Sequence, residues 1–315
     1  MARLFHRPRG HKPAARRPRR DKSAATIGDL IADTERRLKR ARVFFGHGTD
    51  NARDEAAALV LHAARLAHDV APRALARRAS AAQRARVAEL LEARITRRMP
   101  LAYLTHEAWF AGLKFFVDER VLIPRSPLAE LIENRFTPWI DPRRVNNVLD
   151  IGTGSGCIAL ACARAFPRAR VDAVDIDAGA LEVAAINRRS LRLTRRVRLV
   201  ESDHFAALSG SSYDIIVSNP PYVGMREMRG LPREYRHEPS LALESGRDGL
   251  DSVATILRAA GRHLRPLGLL VVEVGNTERL LARAYPRVPF TWLDFERGGG
   301  GVFLLTREQL EKAEV

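Results

Sequence analysis

The chain has 315 residues, 46% apolar and 29% charged, which is enough for a buried core with a smaller appendage and excludes a wholly disordered polymer. Its two cysteines, Cys157 and Cys162, are too few for a disulfide framework or a four-ligand zinc site, and they suit a reducing compartment, read here as the cytoplasm. The net charge is +16, no apolar run reaches the ~20 residues of a membrane helix, and no secretory h-region opens the chain, so neither membrane contact nor export is expected.

Residues 1–22 hold nine Lys or Arg against one acid, Asp21, and so carry half of that net charge. With three prolines and no hydrophobic period, residues 1–24 read as a basic disordered tail. Its charge suits weak contact with RNA phosphates; a solubilising leader, or an artefact of an upstream start codon, is the alternative.

Residues 25–101 read as a small helical domain for substrate docking or simple stabilisation. Apolar residues recur there at helical spacing: Ile27, Leu30, Ile31 and Leu38, then Ala56, Leu59, Val60, Ala63 and Leu66, then Val87, Leu90, Leu91 and Ile95. Gly46, Gly48 and Pro72 punctuate the junctions. Residues 102–126 change character, with Trp109, Phe110, Phe115, Phe116 and Val117 around Gly112, and predict a linking hairpin.

From 127 to 315 the chain reads as an α/β domain. Strand-length runs at 147–151, 171–175, 197–201, 215–219 and 269–274 alternate with helical segments at 157–166, 178–188, 251–263 and 277–285. Crossovers of that length predict a parallel sheet covered on both faces. Thr291-Trp292 and Val302–Leu305, separated by Gly298–Gly301, predict a closing antiparallel hairpin.

The first of these strands runs into Asp150-Ile151-Gly152-Thr153-Gly154-Ser155-Gly156, where backbone must approach something closely. The dinucleotide fingerprint needs glycine at 157, which is Cys157, and the Gly-Lys-Ser/Thr of a P-loop is missing. Asp175 ends the second strand 23 residues after Gly152, where a carboxylate can accept both ribose hydroxyls. Asp150 would repel phosphate and favour a cation; S-adenosylmethionine offers a sulfonium and an ammonium. A tight turn serving helix packing is the alternative. After the third strand, Asp203 can accept an adenine amine, with His204 or Phe205 over its face; a helix cap and a core aromatic are the plainer readings.

Tyr213–Ser218 leads into Asn219-Pro220-Pro221-Tyr222. Neither proline has an N–H, each restricts the residue before it to extended geometry, and the carbonyls of the turn are left to face a ligand. With the Asn219 side-chain oxygen they can grip the two hydrogens of a planar NH₂ while the Tyr222 ring packs on its plane. Such a nitrogen is a poor nucleophile unless held in line, so catalysis here would come from positioning, and neither a strong base nor a covalent nucleophile is needed.

Residues 148–222 resemble the class I, S-adenosylmethionine-dependent methyltransferases, and Asn219–Tyr222 resembles the subset that methylates planar nitrogens. Glu119–Arg125 ahead of that half, with Leu241-Ala242-Leu243 and Gly246–Leu250 after it, is similar to the protein-glutamine N5-methyltransferases. Arg125–Ile132 and Tyr103–Phe110 resemble the branch acting on large-ribosomal-subunit protein three rather than the release-factor branch. The resemblance covers 26–310 and implies a Rossmann-like mixed seven-stranded sheet behind a small helical domain. It also implies methyl transfer to the side-chain N5 of a glutamine, with cofactor contacts at Asp150, Gly152, Thr153, Gly154, Ser155, Gly156, Asp175, Asp203, His204 and Asn219. Asn219, Pro220 and Tyr222 would be catalytic, and these with Pro221 would hold the glutamine. His204 departs from the aromatic ring frequent at that position in the release-factor branch.

Other residues invite lesser readings. His237-Glu238 reads as part of a mobile loop over the pocket rather than a metal site, and Arg125 with Glu130 as a domain junction or a surface pair. Cys157 opens a helix, where a thiol pKa can fall, although simple packing is the default. The rivals to the main reading are adenine-N6 methylation of DNA or RNA and a noncatalytic RNA-binding assembly factor.

Overall fold

A computed structural model describes residues 25–67 and 69–313; the segment read as a tail lies outside them. α1 (Ile27–Ala41) begins where Thr26 and Asp29 cap each other, each side chain accepting from the other's amide. Its inward stripe of Ile27, Ile31 and Leu38 packs on α2 (Ala52–Ala64), where Ala56, Leu59 and Val60 are buried. After the single turn α3 (Pro72–Leu75), α4 (Ala81–Thr96) is capped by Ser80 with Gln83 and closes this core through Val87 and Leu91. α5 (Leu101–Thr105) carries helix past residue 101, because Pro100 starts a new turn that packs against α2 and α4.

β1 (Ala108–Phe110) and β2 (Leu113–Phe115) form the expected hairpin across Ala111-Gly112. The segment after it lays Val117, Val121 and Ile123 against Ala180 and Val183, and the Tyr103 hydroxyl donates to Val121 O at 2.6 Å.

Then follow α6 (Leu128–Glu133), β3 (Asn147–Ile151), α7 (Cys157–Ala165), β4 (Arg170–Asp175), α8 (Ala178–Ser190), β5 (Val197–Glu201), β6 (Tyr213–Ser218), α9 (Met225–Met228), α10 (Asp251–His263), β7 (Leu264–Glu273), α11 (Glu278–Ala284), β8 (Thr291–Leu293), β9 (Val302–Thr306) and α12 (Arg307–Ala313). The seven strands from β3 onward lie in the order β5-β4-β3-β6-β7-β9-β8, all parallel except β9, which runs antiparallel to β7 and β8. This is the mixed seven-stranded class I sheet that the resemblance implies. Both faces are covered: Ile215 and Val217 of β6 enter the core under α6 and α7, while Ile216 between them enters the core under α10. Burying each such side chain contributes roughly 1.5–3 kcal/mol.

β7 starts at Leu264, five residues before the predicted strand, because Tyr213 pairs with Leu264 ahead of a register shift between Tyr213 and Ile215. No helix of the described residues is long and apolar enough to cross a membrane.

Candidate active site

The chain order reverses between β3 and β6, and the crevice outside the carboxyl ends at such a switch point is where an open α/β sheet binds ligands. Ile151 and Ser218 are register partners there, and the Ser218 hydroxyl donates to Ile151 O at 2.7 Å. The glycine turn and the Asn-Pro-Pro turn are thereby set side by side. Between them opens a cavity of about 420 Å³.

Gly152, Gly154, Asp175, Asp203, His204, Asn219, Pro220 and Pro221 all line this cavity. Gly152 (φ +70°) and Gly154 (φ +54°) lie in the left-handed region, and a Cβ on either would meet open space. The Asp175 carboxylate is fixed by two amides, Gly154 N to Oδ2 at 2.8 Å and Asp177 N to Oδ1 at 3.0 Å. A carboxylate has about four acceptor sites, so two remain for hydroxyls of a ligand. Burial raises its pKa, and the two amides oppose the rise. His204 is held between Asp203 Oδ1 (2.6 Å to Nδ1) and Ser252 Oγ (2.7 Å to Nε2).

Asn219 Oδ1 is buried and has no hydrogen-bond partner among the described residues. Nor does any described backbone or side-chain donor reach the carbonyls of Pro220 and Pro221 outside the strand ladders. A buried acceptor with no partner costs roughly 1–3 kcal/mol, so this cluster of free oxygens is a site waiting for N–H donors.

Other predicted residues stand elsewhere. Asp150 lies behind the turn, fully buried; its Oδ2 accepts from Thr153 Oγ1 (2.6 Å) and Ala159 N (3.0 Å), so it braces the loop from beneath. Burial pushes its carboxyl up to about 7. Thr153 and Ser155 are buried with it, and Gly156 faces Ala184 and Leu160, where a Cβ would come within 3.2 Å of each, so helix packing governs that glycine. Phe205 stacks on His263 in the core, with ring centroids 4.6 Å apart.

Tyr222 does not line the cavity. Its hydroxyl donates to Glu273 Oε1 at 3.1 Å, Ser126 Oγ donates to Glu273 Oε2 at 2.5 Å, and its ring lies over Gly275, where a Cβ would sit 2.6 Å from Cε2. In this arrangement the ring props the turn from the side away from the cavity.

The segment read as a mobile loop is pinned instead. Residues 233–237 form a 3₁₀ turn, and buried Glu238 accepts from Arg125 Nη1 (2.5 Å) and Nη2 (2.8 Å) and from Ile123 N (3.0 Å). Burial favours the neutral Glu238 acid, but His47 at 3.6 Å and the Arg125 guanidinium hold its pKa down at about 2. Arg125 and Glu130 do not pair; Glu130 accepts from the amides of Glu296 and Arg297. The Cys157 thiol is pushed up to about 12 by burial, the reverse of a helix-start activation.

Sequence reasoning missed Arg120, Leu122, Leu241, Glu244 and Ser252 as lining residues. Arg120, Leu122 and Leu241 fall in segments noticed only through the resemblance, 119–125 and 241–243; Ser252 falls in the helix read at 251–263, and Glu244 in no segment singled out.

A family profile described as "Methyltransferase small domain" matches residues 134–231. A protein named ribosomal protein uL3 glutamine methyltransferase from Neisseria meningitidis serogroup B is 49% identical over 286 residues, covering 90% of this chain and 94% of its own. One of the same name from Bordetella pertussis is 48% identical, covering 90% of this chain and 96% of its own. A solved structure of the hMettl16 catalytic domain with MAT2A 3′UTR hairpin 6 aligns at 17% identity with a TM-score of 0.48, covering 71% of this chain and 81% of that one.

Proposed function

The chain belongs to the family of ribosomal protein uL3 glutamine methyltransferases, and we propose that it methylates the side-chain amide nitrogen of a glutamine in uL3, with S-adenosylmethionine as donor. The observation that carries this reading is the unpartnered Asn219 Oδ1 on the cavity wall, beside the free carbonyls of Pro220 and Pro221. Two acceptors on a rigid turn fit the two hydrogens of a primary amide and leave its nitrogen facing the cavity.

The donor fits the remaining walls. Gly152 and Gly154 offer bare backbone, and Asp175 keeps two acceptor sites for ribose hydroxyls. When bound, S-adenosylmethionine supplies a methyl group on a positively charged sulfur. Asn219 and the proline carbonyls orient the nitrogen and stabilise positive charge growing on it as the N–C bond forms and the S–C bond breaks. The nitrogen then sheds a proton to solvent, so no lining residue has to act as a strong base. Tyr222, through Glu273 and Ser126, keeps the turn in place. The helical module of α1 to α5 serves as the docking domain for the protein substrate, and two buried free cysteines suit reaction in the cytoplasm.

The test has two parts. Asn219→Ala should lower turnover more than about a hundredfold while S-adenosylhomocysteine affinity stays within about threefold; unchanged turnover removes the gripping role. Incubation with methyl-labelled donor, undermethylated ribosomes, free ribosomal proteins, release factors and DNA should label uL3. Label in release factors alone, or in nucleic acid alone, would refute the substrate.

A further inference from the structure

The methyl-transfer cavity has walls of two origins. One side is the edge of the seven-stranded sheet, with the glycine turn, Asp175 and the Asn-Pro-Pro turn. Much of the other side comes from two loop segments: residues 120–122, and Pro239, Leu241, Ala242, Glu244, Ser245 and Gly246. Each segment is seated at a different end. Val121 packs in one small core with Ala180 and Val183 of α8, and Arg120 Nη1 donates to Glu182 Oε2 at 2.8 Å. α8 begins just past Asp175, so 120–122 stands at the donor end. The second segment rests on the acceptor turn instead: Val223, directly after Tyr222, donates its N–H to Leu243 O at 2.8 Å, and Ser245 N donates to Val223 O at 3.0 Å.

One side chain spans the two segments. The carboxylate of Glu238 is out of solvent, and its backbone runs straight into Pro239. It accepts from Ile123 N at 3.0 Å, next to Leu122, and from Arg125 Nη1 and Nη2 at 2.5 and 2.8 Å. Bonds to an ionised acceptor are about twice as strong as neutral ones, and the paired guanidinium fixes direction as well as distance. Two lesser links lie beside this clamp. His237 Nδ1 is 3.2 Å from Glu119 Oε1, both partly exposed, and the Arg125 guanidinium lies 5.4 Å from the Tyr235 ring centroid. His47 of the helical module also comes within 3.6 Å of Glu238 Oε2.

We propose that Glu238 is a positioning residue for methyl transfer: by clamping 120–122 to 239–246 it sets the distance between the donor end of the cavity and the acceptor turn. The proposal rests on the reading of this cavity as the place where an amide nitrogen meets the donor methyl group. Such a displacement needs the reacting atoms about 3–3.5 Å apart and in line, and a misplacement of about 1 Å can cost about a hundredfold in rate. Glu238, Ile123 and Arg125 do not themselves line the cavity. The clamp therefore acts through the walls it joins, and its loss should fall on turnover rather than on the binding of either partner.

The test uses the full chain carrying Glu238→Gln, which keeps the shape and an acceptor for Ile123 N but turns an NH₂ group toward Arg125 and removes the charge. Turnover on uL3 should fall roughly 30- to 100-fold, while KM for uL3 and S-adenosylhomocysteine affinity stay within about threefold. Hydrogen exchange of the Val223 and Ser245 amides should quicken relative to that of the β3 and β6 amides. Arg125→Lys keeps the charge but not the paired contact, and should lose only about tenfold in turnover; it carries the test if the Gln variant does not fold. Unchanged turnover in a folded variant would overturn the proposal, as would a loss of S-adenosylhomocysteine affinity or a rise in KM as large as the loss of turnover. Failure of wild type to label uL3 refutes the substrate instead, and the same split is then measured on whichever acceptor is labelled. The exchange measurement needs no acceptor, so unaltered exchange at Val223 and Ser245 counts against the clamp by itself.

Discussion

Two buried acids near the turns act on stability in ways that can be measured apart from catalysis. Asp150 has one carboxylate oxygen satisfied by Thr153 and Ala159, and the other has no partner. Burial lifts its pKa from 3.8 to about 7, so the fold prefers the protonated acid. The stability this lends is fully present below about pH 4 and is lost as pH rises through about 7. Asp150→Asn keeps an oxygen for Thr153 and Ala159 and removes the titration. The melting temperature of ligand-free wild type should therefore fall more steeply than that of the variant across that window, and parallel calorimetric curves would contradict the assignment. Tyr222 supplies a second case. The two prolines make the turn legible, because a missing N–H is readable in the sequence; the partner of Tyr222, Glu273, lies 51 positions away and is not. Tyr222→Phe should cost about 1–3 kcal/mol in urea unfolding, since buried Glu273 loses a donor, while turnover stays within about tenfold of wild type. A loss of turnover beyond a hundredfold without loss of stability would return the ring to the substrate.

At the scale of elements, the five central strands and the crossover helices were legible because each carries its own period and length, with β3 found at its observed bounds, 147–151. α6, α9 and α12 were not, being six, four and seven residues long, too short to be stable without tertiary contacts. The segment 233–238 was misread as mobile for a related reason: each of its pins is distant in sequence. Glu234 reaches Arg94, 140 positions away, and Glu238 reaches Arg125, 113 positions away. Arg94 is the central pin, with Nε on Glu55 Oε1 at 2.6 Å, Nη1 on Glu234 Oε1 at 3.3 Å and Nη2 on Phe44 O at 2.6 Å; Arg94, Glu55 and Glu234 are out of solvent. Arg94→Met takes from buried Glu55 its ion-pair partner and leaves buried Glu234 only Arg98 at 3.6 Å, and should cost about 3–5 kcal/mol in denaturant unfolding. Adding Glu55→Gln and Glu234→Gln should recover most of that loss; no recovery would mean that packing of the arginine stem, not its charge, is what matters.

The described residues form separate apolar cores, one among α1, α2 and α4, two on the faces of the seven-stranded sheet, and a smaller one that joins α5 to α8 through Val117, Val121 and Ile123. The links from the first core to the loop that borders the cavity include ion pairs, Arg94 with Glu234, Arg98 with Glu234 and His47 beside Glu238, together with ring contacts of Phe44 and His47 on Tyr235. Polar links of this kind couple two cores only while their geometry holds, so they decide whether the chain unfolds in one step or two. A ligand bound in the cavity at a hundred times its dissociation constant stabilises whatever unfolds together with the cavity by about 2.7 kcal/mol. In wild type, S-adenosylhomocysteine at that level should slow global hydrogen exchange of α1 and α2 amides together with that of the β3 and β6 amides, because one opening exposes both. Arg94→Met removes one of these links and leaves Arg98–Glu234 and His47–Glu238 in place, so the coupling should weaken: the ligand should protect the sheet amides more than those of α1 and α2. Equal protection of both sets in the variant would show that the cores are joined through the remaining contacts and that Arg94 serves only its own surroundings.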